Sequence, residues 1–451
     1  FEEMLGINFC SAVKNKAACC GNYGQREKYS PFGTLDTEKI IQQLKSLNIQ
    51  VFRQILMLDE VLIGDELRTD YLDDFAAVTM QFQQHGKVIL DFHQDIFSRQ
   101  FGGCGLPNKY MPAELRGKIV VLENGGKAWG GTPITSKEQC VAWDYFYANC
   151  APQYSQDINK VINYLATRLP RFYDYVDLIN EPSCSAMYHC AFLRPQRRSQ
   201  ESAKLSTFYN FLLQNLPPTN KLDFKVVVEP LNYDVSQIAG MPFGLQPLRS
   251  DRELVYGPHL YEPVLSKKKA VMLSHLLQQQ KLGCKEIMIG EFGDLTNGGD
   301  PARFRGQLEL FQQLDVLGCI WELNPIQLTE NVAQEQDKLP WNCEVMSILK
   351  GYELTRIGEQ IQLPKVKKIK FSWRNEEDLK IEGDLRVYWV KNKWQKFRFW
   401  QKFGVEEQVG VRILALKAGF SVQFVGEVVF SEIDLGNGRK VVEEEEYVVM
   451  E

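Results

Sequence analysis

Eight short apolar runs, each followed by a stretch of helical period, constrain this chain more than any other feature of its sequence. The runs are Met4–Phe9, Ile49–Ile55, Lys87–Phe92, Tyr175–Asn180, Phe224–Glu229, Leu254–Pro258, Glu286–Gly290 and Cys319–Trp321, each bounded by Gly, Pro or a polar turn. Continuous apolar runs of this length suit strands buried on both faces, and their alternation with helices predicts parallel βα units. Eight such units predict a closed (β/α)8 TIM barrel.

The helices carry their own signals. Between the second and third runs Leu72, Phe75, Thr79 and Phe82 share one face, with Asp70 expected as N-cap and Gly86 as the stop. Phe304, Leu308, Phe311 and Leu314 form a similar stripe, with Gly318 expected to end that helix. One connection, from Phe92 to Tyr175, is far longer than the rest and carries the Gly-rich stretch Phe101-Gly-Gly-Cys-Gly-Leu-Pro107, a size typical of functional loops. After about Leu363 the period changes to two, as in Ile369/Phe371/Trp373 and Leu385/Val387/Trp389. The expected organisation is a barrel over residues 1–358 and a small all-β sandwich over 359–451.

Composition narrows the partners. The 451 residues hold 52 Lys+Arg against 57 Asp+Glu, a net charge of -5 that gives no electrostatic reason to bind nucleic acid. No run of about 18 apolar residues occurs. The chain opens Phe1-Glu2-Glu3 without an initiator Met or an apolar signal region, so the start of a precursor is expected to precede it. None of the 11 cysteines forms a CxxC pair, which argues against a metal framework, and no Asn begins an Asn-x-Ser/Thr acceptor. No metal or organic cofactor is expected. Cys104 and the pair Cys184/Cys190 are open to two readings, a loop-stiffening disulfide or space-filling thiols.

In a βα barrel the chemistry gathers at the C-terminal ends of the strands. There the sequence places Arg53, His93, Asp95, Asn180, Glu181, His259, Tyr261, Glu291 and Trp321. Glu181 and Glu291, ending the fourth and seventh runs, would face each other across the mouth. Such a pair suits glycosidic cleavage, in which one carboxyl protonates the leaving oxygen and the other attacks the anomeric carbon. Arg53 and Tyr261 are expected to hold Glu291 ionised, leaving Glu181 with a raised pKa. His85, His189 and His275 lack this context and read as surface or loop histidines.

This ordered set resembles the signature of family 5 glycoside hydrolases over roughly residues 1–355. The segment Leu90-Asp-Phe-His-Gln-Asp95-Ile-Phe-Ser98, the Gly-rich stretch after it and the β-rich C-terminal part are most similar to endoglycoceramidases and related glycolipid glucosidases. The resemblance implies Glu181 as acid/base, Glu291 as nucleophile and Asn180 as partner of the sugar 2-hydroxyl. It further implies a sugar subsite shaped by His93, Asp95, His259 and Tyr261 over a Trp321 floor. One departure is that the Lys usual shortly after the first strand's Gly-x-Asn is missing until Lys14.

Apolar residues on the loops after the fourth to sixth runs (Met187, Tyr188, Phe192, Leu193; Met241, Phe243, Leu245, Leu248; Val264, Leu265) read either as a lipid-accepting surface or as ordinary loop packing. Trp373, Trp389, Trp394 and Trp400 read as sandwich core, and Lys267-Lys268-Lys269 and Glu443–Glu446 as solvated charge. The expected activity is a retaining β-glycosidase cleaving a sugar headgroup from a lipid aglycone, with a glycolipid substrate and peripheral membrane contact. A steryl or simple β-glucosidase, a glucan or mannan endo-hydrolase and a non-catalytic glycolipid-binding protein stay open. An exported or lysosome-like compartment follows from the resemblance alone.

Overall fold

The computed structural model describes residues 5–10, 29, 31–32, 36–101, 103–117, 137–184, 195–231, 245–261, 271–272, 275–276, 278–293 and 301–325, and beyond these only strand segments between 347 and 450. All eight expected strands form: β1 (Leu5–Phe9), β2 (Val51–Leu56), β3 (Lys87–Phe92), β4 (Tyr175–Asp177), β5 (Lys225–Val228), β6 (Leu254–Tyr256), β7 (Glu286–Phe292) and β8 (Leu317–Ile320). Each pairs in parallel with its neighbours in sequence, and β1 closes the barrel on β8. The chain is a TIM barrel.

The pleat decides what the interior holds. Val51, Ile89, Tyr175, Val227, Val255, Met288 and Cys319 contribute one apolar layer, one residue from each of seven strands. Two residues further along, the same faces present Arg53, Asp91, Asp177 and Glu229, all fully buried. An apolar floor therefore carries a charged layer. Outside the barrel the helices α1 (Thr37–Ser46), α2 (Thr69–Gln83), α3 (Lys137–Asn149), α4 (Ala151–Arg168), α5 (Pro195–Asn215) and α6 (Pro301–Leu314) bury apolar stripes against the strands.

Some details differ from expectation. Helix α2 starts one residue before Asp70 because the Arg68 N–H is drawn to the Val61 carbonyl at 2.9 Å, making Arg68 the N-cap, while Asp70 sits in the first turn. Its predicted stripe of Leu72, Phe75, Thr79 and Phe82 is buried. Gly318 does not end α6: the helix stops at Leu314, and Gly318 lies inside β8 with the Phe311 ring filling the space of its absent Cβ. Leu245 is buried in the core and Leu248 packs against it, so these two belong to packing; the other apolar loop residues lie outside the described ones, as do Cys190, His189 and Lys267–Lys269.

His275 is no surface residue. It is fully buried, its Nδ1 shares a 3.0 Å hydrogen bond with the Tyr256 hydroxyl, and burial pushes its pKa down from 6.5 to about 3. The unfolded chain takes up a proton near pH 6.5 that the buried ring refuses until about pH 3. Stability from this residue is thus complete above pH 6.5 and declines as the pH falls, by about 3 kcal/mol at pH 4.5. Urea denaturation of wild type and His275→Gln at the two pH values should show a shallower acid decline in the variant. Equal slopes would remove His275 from the acid response.

Beyond the barrel, Leu323–Pro325 pairs with Ser347–Lys350. The strands Lys370–Asn375, Asp378–Glu382 and Ser421–Gln423 make one three-stranded sheet, and Ser431–Asp434, Lys440–Glu444 and Tyr447–Met450 another. Among the described residues this stretch is all strand. Trp373 lies level with Leu379 in the first of these sheets, while Trp389, Trp394 and Trp400 lie outside the described residues.

Candidate active site

Arg53 organises the mouth of the barrel. Because β2 continues to Leu56, Arg53 sits mid-strand rather than at the strand's end, and its side chain is fully buried in the charged layer. Nη1 donates to Asn8 Oδ1 at 3.0 Å and Glu291 Oε1 at 2.9 Å. Nη2 donates to Asp177 Oδ2 and Asn180 Oδ1, both at 2.9 Å, and to Glu229 Oε1 at 3.1 Å, with Asp91 Oδ1 also 3.1 Å away. One guanidinium thus ties side chains from four strands and from the segments just after β4 and β5. Burial works against its charge, but Asp91, Asp177, Glu291 and Glu229 outweigh this and hold it firmly cationic. Asn8 anchors the arrangement by donating to the Gly290 carbonyl at 3.0 Å and the Ile320 carbonyl at 3.2 Å.

Glu291 lies within β7, its second oxygen receiving the Tyr261 hydroxyl at 2.9 Å. Across from it, Glu181 follows β4 in a left-handed backbone conformation (φ 40°), which a non-glycine residue holds only when its surroundings fix it. Those surroundings are visible. The Glu181 N–H donates to Glu229 Oε2 at 2.7 Å, and the Gln94 amide donates to the Asn180 and Glu181 carbonyls at 2.8 and 2.9 Å. His259 stands between the two glutamates, with Nδ1 2.8 Å from Glu181 Oε1 and 3.5 Å from Glu291 Oε2, and Nε2 3.1 Å from Glu229 Oε1. Gly290 leaves room for this ring, since a Cβ there would lie 2.8 Å from His259 Nε2.

The protonation states divide accordingly. Burial pushes the Glu181 pKa up, and although the His259 bond opposes this, the nearby Glu291 charge adds to it. Burial also disfavours charge on His259, but Glu229, Glu291 and Glu181 raise its pKa well above the ordinary 6.5. Asp177 is driven well above the carboxylate range by burial and by Glu229, against the pull of Arg53. Glu229 goes the other way: burial opposes ionisation, yet His259 and Arg53 keep it ionised.

The loop after β3 supplies the other wall. His93 Nδ1 lies 2.7 Å from Asp91 Oδ2 and its Nε2 3.3 Å from Asp95 Oδ2, and its ring stacks on Trp321 at 5.5 Å and 9°. Ile96 and Phe97 both take positive φ, 52° and 71°, and Gln94 Oε1 accepts the Phe97 N–H at 2.7 Å. The Gly-rich stretch lies flat on this turn: Asp95 and Cys104 exchange backbone hydrogen bonds, and Gly105, at φ 104°, approaches the His93 carbonyl too closely for any Cβ. Trp321 follows β8 and packs with Cys10, Ile55, Met57, Cys104 and, at the rim, Tyr261. Beside it Glu322 is fully buried and accepts from the Cys10 thiol at 3.2 Å.

All nine residues singled out from the sequence lie at this end of the barrel. Arg53, Asn180, Glu181, His259, Tyr261 and Glu291 form one bonded group, and His93, Asp95 and Trp321 a second, joined through Asp91. Asn8, Gln94, Asp91, Asp177 and Glu229 belong to the same network and were not singled out. The facing atoms of Glu181, His259 and Glu291 lie within 4.8 Å of one another, close enough to bracket a metal ion. These donors are already engaged with one another: Glu291 is paired with the Arg53 guanidinium, and His259 Nδ1 is bonded to Glu181.

No family model matches the chain, and no curated protein matches it. Solved structures do. The fold is that of the endoglycoceramidase structures, a TIM barrel carrying paired carboxylates at its mouth in this chain. Endo-glycoceramidase II from Rhodococcus sp., solved as a lactosyl-enzyme intermediate, superposes with TM-score 0.59 at 18% identity over 80% of this chain and 78% of that one. Its ganglioside GM3 complex gives TM-score 0.59 at 17% identity over the same shares. An endogalactoceramidase structure gives 0.55 at 16% identity over 74% of each chain.

Proposed function

We propose that this chain is a retaining β-glycosidase that releases a sugar headgroup from a lipid aglycone. The observation that carries this is the meeting of Glu181 and Glu291 with facing oxygens inside 4.8 Å. A retaining mechanism wants its carboxyls about 5 to 5.5 Å apart, whereas an inverting one needs about 6.5 to 9.5 Å to admit a water. Glu291, held by Arg53 and Tyr261, is the nucleophile that attacks the anomeric carbon. Glu181, whose pKa burial raises, gives its proton to the leaving oxygen and then takes one from the water that resolves the glycosyl-enzyme. Asn180 spends one amide N–H on the Gln94 carbonyl and keeps a second for the sugar 2-hydroxyl. His93, Asp95, His259 and Tyr261 shape the sugar subsite above Trp321, and residues 359–451 form the accompanying β-sandwich.

The lipid aglycone is supported by the fold neighbours, whose names and bound states are those of glycoceramidases acting through a lactosyl-enzyme and binding ganglioside GM3. A fluorescent glycosphingolipid should be split into intact oligosaccharide and ceramide, and turnover in methanol should trap a β-linked methyl glycoside. An α-linked product would overturn retention. Activity confined to soluble glucan or mannan would overturn the lipid aglycone.

A further inference from the structure

We propose that Glu229 is a positioning residue that holds Glu181 and His259 in their working arrangement. This rests on the glycosidase reading above and adds a role for a residue that touches no substrate. Glu229 lies immediately beyond β5, fully buried, and its carboxylate spans two jobs. Oε2 accepts the Glu181 N–H at 2.7 Å, which fixes the left-handed turn that aims the Glu181 side chain at Glu291. Oε1 accepts from Arg53 at 3.1 Å and stands 3.1 Å from His259 Nε2. The nucleophile's cation, the acid's backbone and the histidine between them therefore converge on one carboxylate.

The groups facing Glu229 from each packed element agree with that assignment. From β2 comes the Arg53 guanidinium, from the segment after β6 the cationic His259, and from β4 the Asp177 carboxyl, whose pKa burial and the Glu229 charge raise. From α5 the Tyr209 hydroxyl donates to the Glu229 carbonyl and accepts its N–H, both at 3.1 Å, so the backbone is clamped as well. Arg53, His259 and the Glu181 N–H all present hydrogens to this carboxylate. An ionised carboxylate satisfies all of them, and an amide cannot, because its NH2 must face one of these donors.

The role predicts a defect that depends on the leaving group. Protonation by Glu181 matters when the aglycone is a poor leaving group such as an alkyl alcohol, and matters little for dinitrophenolate. Glu229→Gln should lower kcat/KM by about 100-fold on an alkyl β-glycoside, the low end of what a general acid contributes, and by less than about 5-fold on a dinitrophenyl β-glycoside. On the activated substrate, azide should raise kcat in the variant and give the β-glycosyl azide, because an anionic nucleophile needs no base. Glu229→Asp, which keeps the charge but withdraws it from the Glu181 N–H, should show the same contrast and serves if the Gln variant does not fold. Equal losses on both substrates in a folded variant, or no loss on either, would overturn the positioning role. Wild type inert on every β-glycoside would instead overturn the glycosidase reading.

Discussion

Glu291→Gln is expected to abolish turnover, with kcat/KM down by at least about 10⁴-fold, while the protein stays folded. The chemical loss is complete in kind, because an amide oxygen is too weak a nucleophile to form the glycosyl-enzyme. The fold survives because the replacement is isosteric and its contacts can be kept. The amide oxygen still accepts from Arg53 Nη1, now at 2.9 Å from Glu291 Oε1, and the Tyr261 hydroxyl, now a donor at 2.9 Å, rotates to accept from the new NH2. Arg53 also retains Asp91, Asp177 and Glu229, so no buried cation is orphaned. Initial rates on an aryl β-glycoside and a thermal melt check the two halves separately. Residual activity above about one per cent in a folded variant would mean that another group attacks the sugar.

The barrel was legible because its strands are buried on both faces and so write themselves as apolar runs, with most polar residues gathered toward their C-terminal ends. Those ends gave Glu181, His259, Glu291 and Trp321 their place. What the runs do not reveal is pleat phase. Asp91, Asp177 and Glu229 each fall two residues beyond an inward apolar residue, Ile89, Tyr175 and Val227, and that period-two step is the signal that would have put them inside the barrel with Arg53. Arg53 itself read as a strand end, because a buried arginine mid-strand makes no sense until its partners, contributed by other strands, are known.

Local signals failed where a tertiary partner outbid them. Asp70 is a good N-cap by type, but the hairpin Leu62–Leu67 delivers Arg68 against the Val61 carbonyl and starts the helix earlier. Gly318 suits a helix stop by type, but the strand register needs it level with Leu5 and Ile289 beneath the Phe311 ring. His275 had no sequence context because what surrounds it, Tyr256 on β6, is distant in composition and adjacent only in the fold. Gln94 stood in a recognised segment, yet its clamp on Asn180 and Glu181 requires the positive φ of Ile96 and Phe97, which no propensity announces.

Arg53→Met is expected to destroy the folded state rather than merely the activity. The substitution keeps volume and apolar packing but removes the one cation shared by Asp91, Asp177, Glu229 and Glu291. Removing one partner of a buried ion pair costs about 3 to 5 kcal/mol, and here several carboxyls lose the same partner, against a total stability of about 5 to 15 kcal/mol for a typical domain. Burial and Glu229 already favour the neutral form of Asp177, and His259 still faces Glu229 and Glu291, so the penalty falls hardest on Asp91, whose remaining cationic contact is with His93 only if that ring is protonated. The loss should therefore be partly relieved by neutralising the stranded charge. Arg53→Met combined with Asp91→Asn should express in more soluble form, and melt at higher temperature, than Arg53→Met alone. Arg53→Lys tests the complementary point: its ammonium preserves charge but not the fork that reaches Asn8 and Glu291 on one side and Asp177, Asn180 and Glu229 on the other. It should fold with a lowered melting temperature and lose kcat, because Glu291 Oε1 loses the Arg53 Nη1 hydrogen bond that positions it, leaving Oε2 to Tyr261 and His259. Soluble, wild-type-like melting of Arg53→Met would mean that the carboxyls relax to water or to one another, and the charged layer would lose its place as the feature that fixes the site.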